Sequence, residues 1–262
     1  MTSSPTYHWA VRSQAEVPPG TEWLAPAERA AFARLRRPKR RADWRVGRWA
    51  AKQALAECLR QAGVLPRLAD IVVLAAQDGA PEAQIAGTRL KLGVSLSHSG
   101  GLGFAVAGTD SVPLGCDIER VEPRSPGFVH DYFTAEEAAF IQRSPPATRP
   151  FLATLLWSAK ESALKVRRQG LRADTRSVEV HLAGGHGGHF GALSLRCTEP
   201  VATLHGCWWV ADGFVHTIAG PGELCAPGRW QDEHDEVPFG DGSPWVAGAG
   251  RLEALPAFAG HR

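Results

Sequence analysis

Apolar and polar positions in this chain form long stretches at helical spacing, set among short runs that alternate. Residues 26–62 are dominated by helix formers, with a break predicted at Pro38. From residue 126 a loop leads into a helix opened by Thr134-Ala135-Glu136-Glu137, with Thr134 as N-cap. Pro145-Pro146 separates that helix from a central one carrying Trp157-Ser158-Ala159-Lys160-Glu161-Ser162-Ala163-Leu164-Lys165. Alternation and apolar runs predict strands over 71–74, 94–97, 103–108, 177–182, 193–195, 207–210 and 214–219, with a turn at 77–81.

At about 100° per residue the central helix puts Trp157, Lys160, Glu161, Leu164 and Lys165 on one face. Core-facing positions are normally apolar, so these charges need a reason. An exposed Glu161–Lys165 pair at helical spacing is one; chemistry is the other. Pro113-Leu114-Gly115-Cys116-Asp117-Ile118-Glu119 is a second candidate. If extended, it sends both carboxylates to one side, where they repel unless a cation sits between them. A few hard oxygen ligands suit Mg²⁺, which completes its shell with water and substrate phosphate. A solvated strand end is the plainer alternative. Ser97-His98-Ser99-Gly100-Gly101 is a third candidate, where hydroxyls, an imidazole and flexible backbone suit phosphate.

In order, Ser97-His98-Ser99, Gly115-x-Asp117-x-Glu119 and Trp157-x-x-Lys160-Glu161-x-x-x-Lys165 resemble the pattern of the Sfp-type 4′-phosphopantetheinyl transferases. The resemblance covers about residues 20–220. It implies an α+β fold of two similar lobes related by a pseudo-twofold, each a small sheet packed with a long helix. It implies Mg²⁺-dependent transfer of 4′-phosphopantetheine from coenzyme A to a serine of an apo acyl or peptidyl carrier protein, as in secondary metabolite biosynthesis. Asp117, Glu119 and Glu161 are then the metal ligands, and Glu161, Lys165 and Asp117 the catalytic set. Ser97, His98, Lys160 and Lys165 would hold coenzyme A phosphates, and Arg48 and Lys52 the 3′-phosphate. The chain departs from the family at Ala80, where a lysine is usual, which moves or removes one nucleotide contact.

Composition narrows the alternatives. With 262 residues, 44% of them hydrophobic, the chain builds a sizeable core in one or two domains. A formal charge of +2 excludes a general polyanion binder. The positive charge is local instead: Arg29, Arg34, Arg36, Arg37, Lys39, Arg40, Arg41, Arg45, Arg48 and Lys52 face Asp43 alone. Such a run is a solvated face, or a site for phosphate or an acidic partner. Five unpaired cysteines, no signal-like start and no long apolar segment point to a cytoplasmic protein without a membrane span. His181, His186 and His189 border a glycine loop that would orient no metal.

Trp49-Ala50-Ala51-Lys52-Gln53 matches Trp157-Ser158-Ala159-Lys160-Glu161, and 103–108 matches 214–220 at a similar offset. The expected organisation is a basic lobe over 1–113, a carboxylate-bearing lobe over 114–222 and an irregular acidic tail over 223–262. Because Gln53 stands where Glu161 does, one active site and a monomer are expected. A metal-dependent nuclease is disfavoured because Arg120-Val121 follows Glu119 where a Glu-x-Lys strand is usual. A non-catalytic nucleic-acid module using the Arg29–Lys52 face would need neither Mg²⁺ nor Glu161.

Overall fold

The computed structural model describes residues 7–109, 111–183, 189–198, 200–222 and 224. His186 and, apart from Leu224, the acidic tail fall outside them. The chain forms two compact units, Met1–Ile118 with Lys165–Gln169, and Glu119–Leu164 with Gly170–Arg262. Both mix helices with small sheets, so the architecture is α+β.

In the first unit the elements are β1 (Tyr7–Ser13), α1 (Pro26–Ala33), α2 (Pro38–Gln61), β2 (Ile71–Ala75), β3 (Pro81–Ile85), β4 (Thr88–Arg89), β5 (Gly93–Ser99) and β6 (Leu102–Gly108). They make two three-stranded sheets, β1-β6-β5 and β2-β3-β4. The break at Pro38 is present, since proline fits the first turn of a helix but not its interior. From Val46 onward α2 is buried on most sides, which explains its alanines: Ala50, Ala51 and Ala54 let it lie close against β1 and β6. At Gly103 a Cβ would stand 2.5 Å from the Val46 carbonyl oxygen, so the helix backbone rests directly on that residue. Strand β1 had no forecast in the sequence; it pairs with β6 through Trp9↔Val106 and Val11↔Phe104.

Strand β7 (Gly115–Arg120) runs through the boundary between the two sets of residues. It is followed by α3 (Pro126–Tyr132), α4 (Ala135–Arg143), α5 (Arg149–Val166), β8 (Val178–Ala183), β9 (Phe190–Thr198), β10 (Val201–Ala211) and β11 (Phe214–Gly220). The sheet order is β7-β11-β10-β9-β8, and β8 to β11 form an antiparallel meander. Where a loop was expected at 126, Ser125 caps α3 instead, its hydroxyl accepting the Phe128 amide at 3.1 Å. Thr134 caps α4 as its sequence predicts, in a reciprocal box with Glu137. No helix of the described residues is long and apolar enough to cross a membrane.

Each unit is centred on a buried lysine–glutamate pair, and the two are built alike. In the first unit Glu28 sits at the third position of α1, fully buried, 2.5 Å from the Lys52 ammonium of α2. One carboxylate oxygen accepts the Ala25 amide and the other the Val73 amide of β2. Lys52 donates also to the carbonyls of Trp23 and Leu68 at 3.0 and 2.9 Å. In the second unit Glu137, at the third position of α4, lies 2.8 Å from the Lys160 ammonium of α5. Its oxygens accept the Thr134 amide and the Val180 amide of β8. Lys160 donates also to the carbonyls of Thr175 and Val178. Val73 and Val180 are both third in their strands, and Leu68 and Thr175 each open the helical turn just before those strands. Burial pulls both ammonium groups below the ordinary lysine value, and the paired glutamates pull back.

Behind the shared pair the helix–sheet contacts differ. Where the first unit has Ala50, Ala54 and Ala105, the second has Ser158, Ser162 and Thr217, all fully buried. The Thr217 hydroxyl donates to the Ser158 carbonyl at 3.0 Å and lies 2.9 and 2.6 Å from the Ser158 and Ser162 hydroxyls.

Removing one partner of a buried pair strands the other. Lys160→Met is expected to destabilise the protein by about 3–5 kcal/mol in denaturant unfolding, and Lys52→Met by a similar amount. Adding Glu137→Gln to Lys160→Met should restore part of the loss; wild-type stability in either single variant would contradict the pairing. A second expectation concerns pH. The Arg168 guanidinium, and then the Ala80 amide, hold the Asp78 carboxyl down at about 2. An unfolded aspartate titrates near about 3.9. The folded state thus holds its proton less tightly, and this contact stabilises fully above about pH 4 and fades as pH falls through about 2. Titration by NMR should find Asp78 returned toward its ordinary value in Arg168→Ala.

Candidate functional site

Strand β7 delivers Asp117 and Glu119 to one side by simple alternation, with Ile118 fully buried on the other. Asp117 is only 3% exposed. Its Oδ1 accepts two bonds, from the Ser97 hydroxyl at 2.6 Å and the Lys165 ammonium at 2.9 Å. Its Oδ2 is buried with no hydrogen-bond partner among the described residues. Lys165 donates also to the Cys116 carbonyl at 2.9 Å. The three residues Ser97, Asp117 and Lys165 come from three places in the sequence and meet at one carboxylate.

The serines of β5 explain how that strand is set. Val94 and Leu96 pack on the core of the first unit, as their alternation predicts. The opposite face is not left to solvent: Ser95 is buried and its hydroxyl accepts the Cys116 amide at 3.0 Å, while Ser97 reaches Asp117. Cys116 between them is fully buried and its thiol is pushed up to about 12 by desolvation, which suits a packing residue. The Ser97 proton is thus committed to Asp117 and not free for a phosphate. His98 is exposed by surface area, yet desolvation, helped by Lys165 and Lys39 and opposed by Asp43, pulls its imidazole below the usual value.

Within the second unit Glu119 is held by the Trp157 indole N–H at 3.2 Å and lies 3.5 Å from the Arg124 guanidinium. Arg124 also pairs with Glu122 at 3.1 Å and lies over the Phe128 ring. Phe128 and Tyr132 each pack edge to face against the Trp157 ring that supplies this donor. Glu161 is half-buried on α5, next to Lys160 but on a different part of the helix surface. Arg124 was not singled out in the sequence; an arginine five residues beyond Glu119 in a proline-flanked loop carries no recognisable spacing.

Two of the basic candidates turn out to be structural. Lys52 and Lys160 are fully buried, and each ammonium has its donors taken by one carboxylate and two carbonyls. Neither has a proton left for a phosphate. Arg48 is nearly buried, gives its Nε–H to the Val73 carbonyl and lies over Trp44. Burial pulls its guanidinium down to about 10. Arg29, Arg41 and Arg45 likewise cap carbonyls, and Lys39 pairs with Asp43. What remains on the surface of the basic run is Arg34, Arg36, Arg37 and Arg40.

Asp117 fits a hard cation. Its bare, buried Oδ2 lacks the partner that a buried carboxylate oxygen needs, and oxygen donors suit Mg²⁺. Among the described residues no three His, Cys, Asp or Glu side chains are gathered into a metal-binding group, so waters and substrate oxygens would have to complete the shell.

Residues 113–219 match the model of the 4′-phosphopantetheinyl transferase superfamily. A 4′-phosphopantetheinyl transferase of Bacillus subtilis is 33% identical over 88 residues, 34% of this chain and 38% of that protein. The 4′-phosphopantetheinyl transferase psf-1 of Bacillus pumilus is 29% identical over 34% of this chain and 37% of its own length. The matched stretch therefore spans well under half of each relative. Among solved structures, the holo-[acyl-carrier-protein] synthase of Thermotoga maritima aligns with a TM-score of 0.33 and 19% identity, covering 49% of this chain and 74% of that one.

Proposed function

We propose, from the match of residues 113–219 to the 4′-phosphopantetheinyl transferase superfamily, that this protein transfers 4′-phosphopantetheine from coenzyme A to a serine hydroxyl of an apo carrier protein. The observation that carries the reading is the Asp117 carboxylate, buried, pinned through one oxygen by Ser97 and Lys165, and bare at the other. It lies inside the matched segment, as do Glu119, Glu161 and Lys165.

In this reading Asp117 would hold Mg²⁺ with Glu119 and Glu161 as the further ligands, and the ion would neutralise charge on the pyrophosphate of coenzyme A. The carrier serine oxygen bonds to the β-phosphorus as the bond to the bridging oxygen breaks, and adenosine 3′,5′-bisphosphate leaves. Glu161 takes the serine proton, directly or through a water. Lys165 and His98 bind phosphate oxygens, Lys165 while fixed to Asp117 and the Cys116 carbonyl. The 3′-phosphate falls to the surface arginines Arg36, Arg37 and Arg40, since Lys52 is fully engaged. One chain carries one acidic set: β1, placed in its sheet as β7 is in the other, holds no Asp or Glu over Tyr7–Ser13. We therefore read the protein as a cytoplasmic monomer that binds one coenzyme A.

The deciding assay incubates the full chain with fluorescently tagged coenzyme A, Mg²⁺ and an apo acyl or peptidyl carrier domain. Label should appear on the carrier serine, and chelation of Mg²⁺ should stop it. Glu161→Gln and Asp117→Ala should each lower the rate about 10³-fold in folded protein; near-normal turnover in Glu161→Gln would sink the mechanism. In a separate measurement, Arg36→Ala and Arg40→Ala should weaken coenzyme A binding by about 1.5–3 kcal/mol per lost phosphate contact. That loss should shrink with 3′-dephospho-coenzyme A, and equal losses with both would move the 3′-phosphate elsewhere.

A further inference from the structure

Ser97 and Lys165 both bond the same oxygen of Asp117, although a carboxylate offers two. The unused oxygen is buried and has no hydrogen-bond partner among the described residues. Leaving a buried acceptor bare is costly, and a nearby hydroxyl that could bridge to it is instead held on the other oxygen. What holds it there is the register of β5. Ser97 lies opposite Phe104 of β6, and two residues earlier on the same face Ser95 accepts the Cys116 amide, fixing β7 one residue before Asp117. Two serines on β5 thus clamp two successive residues of β7: Ser95 the backbone of Cys116, Ser97 the side chain of Asp117.

We infer that Ser97 is a positioning residue for the metal: by donating to Oδ1 it fixes the rotation of the Asp117 carboxylate so that Oδ2 alone faces the cation. Lys165 reinforces the same choice but is mobile about four side-chain bonds, whereas a serine hydroxyl on a paired strand is not. A carboxylate already turned and partly neutralised on one oxygen binds Mg²⁺ through the other without first paying its ordering entropy. The side chain thus acts on the ion through Asp117 and not on the phosphate directly. This rests on the metal-dependent reading above, and the test separates the two.

Mn²⁺ binding to the full-length protein with saturating coenzyme A, followed by the EPR signal of the free ion, reads the site without turnover. Ser97→Ala should weaken Mn²⁺ binding about tenfold while thermal unfolding stays close to wild type. Ser97→Thr, which keeps the hydroxyl, should bind within about threefold of wild type, and Ser97→Cys, a near-isosteric weak donor, should resemble Ser97→Ala. Asp117→Asn should abolish saturable binding. If Asp117→Asn loses the ion while Ser97→Ala and Ser97→Cys bind it as tightly as wild type, the positioning role is wrong and the metal reading stands. If Asp117→Asn itself binds Mn²⁺ normally, the metal reading fails first.

Discussion

A lysine ammonium buried without solvent must have every proton spoken for, and each unit of this protein is arranged around meeting that requirement. The long helix contributes the lysine, the short helix the glutamate, the helical turn before the next strand one carbonyl and that strand an amide, while the second carbonyl comes from Trp23 in one unit and Val178 in the other. One side chain therefore fixes a helix, a second helix and a strand edge at once. Such a pair adds little net stability over an apolar replacement, but it specifies one geometry, because any slip leaves a charge unpaired. The lysine, the glutamate, the strand amide and the first carbonyl of the helical turn recur at matching positions in both units, in line with the short sequence matches.

The second unit differs from the first in the residues next to the lysine. Gln53 becomes Glu161, and the alanines against the sheet become a network of serine and threonine hydroxyls. The carboxylates on β7 are held by different means: Asp117 by a hydroxyl and an ammonium, Glu119 by an indole and a guanidinium. Each is oriented by N–H or O–H donors, and carboxylate oxygens are the ligand type a hard cation takes.

Much of this was legible from sequence. The helices, the Pro38 break, the Thr134 cap and most strands follow from periodicity and from capping residues whose effect is local. Strand β1 was missed because its edge residues, Tyr7 to Ser13, mix aromatic and polar side chains with no alternation to the eye. Helix α3 leaves no period in the sequence because its seven residues are too few for one, and its start rests on Ser125-Pro126 alone. The larger miss was chemical. Lys52 and Lys160 looked functional because charge on a core-facing helix position is unusual, and the glutamates that explain them lie on other helices. No local pattern links a lysine to a glutamate that only the tertiary fold brings near. The same limit hid the Ser97–Asp117 bond.

Lysine and glutamate stand side by side at 160 and 161, yet they answer to different demands. Lys160 is fully buried and paired inside the unit, whereas Glu161 is only half-buried and takes no part in that pair. The first unit already illustrates the separation, with Lys52 kept and Gln53 beside it. A tryptophan-spaced lysine in a distant relative would thus certify an intact scaffold and nothing about turnover.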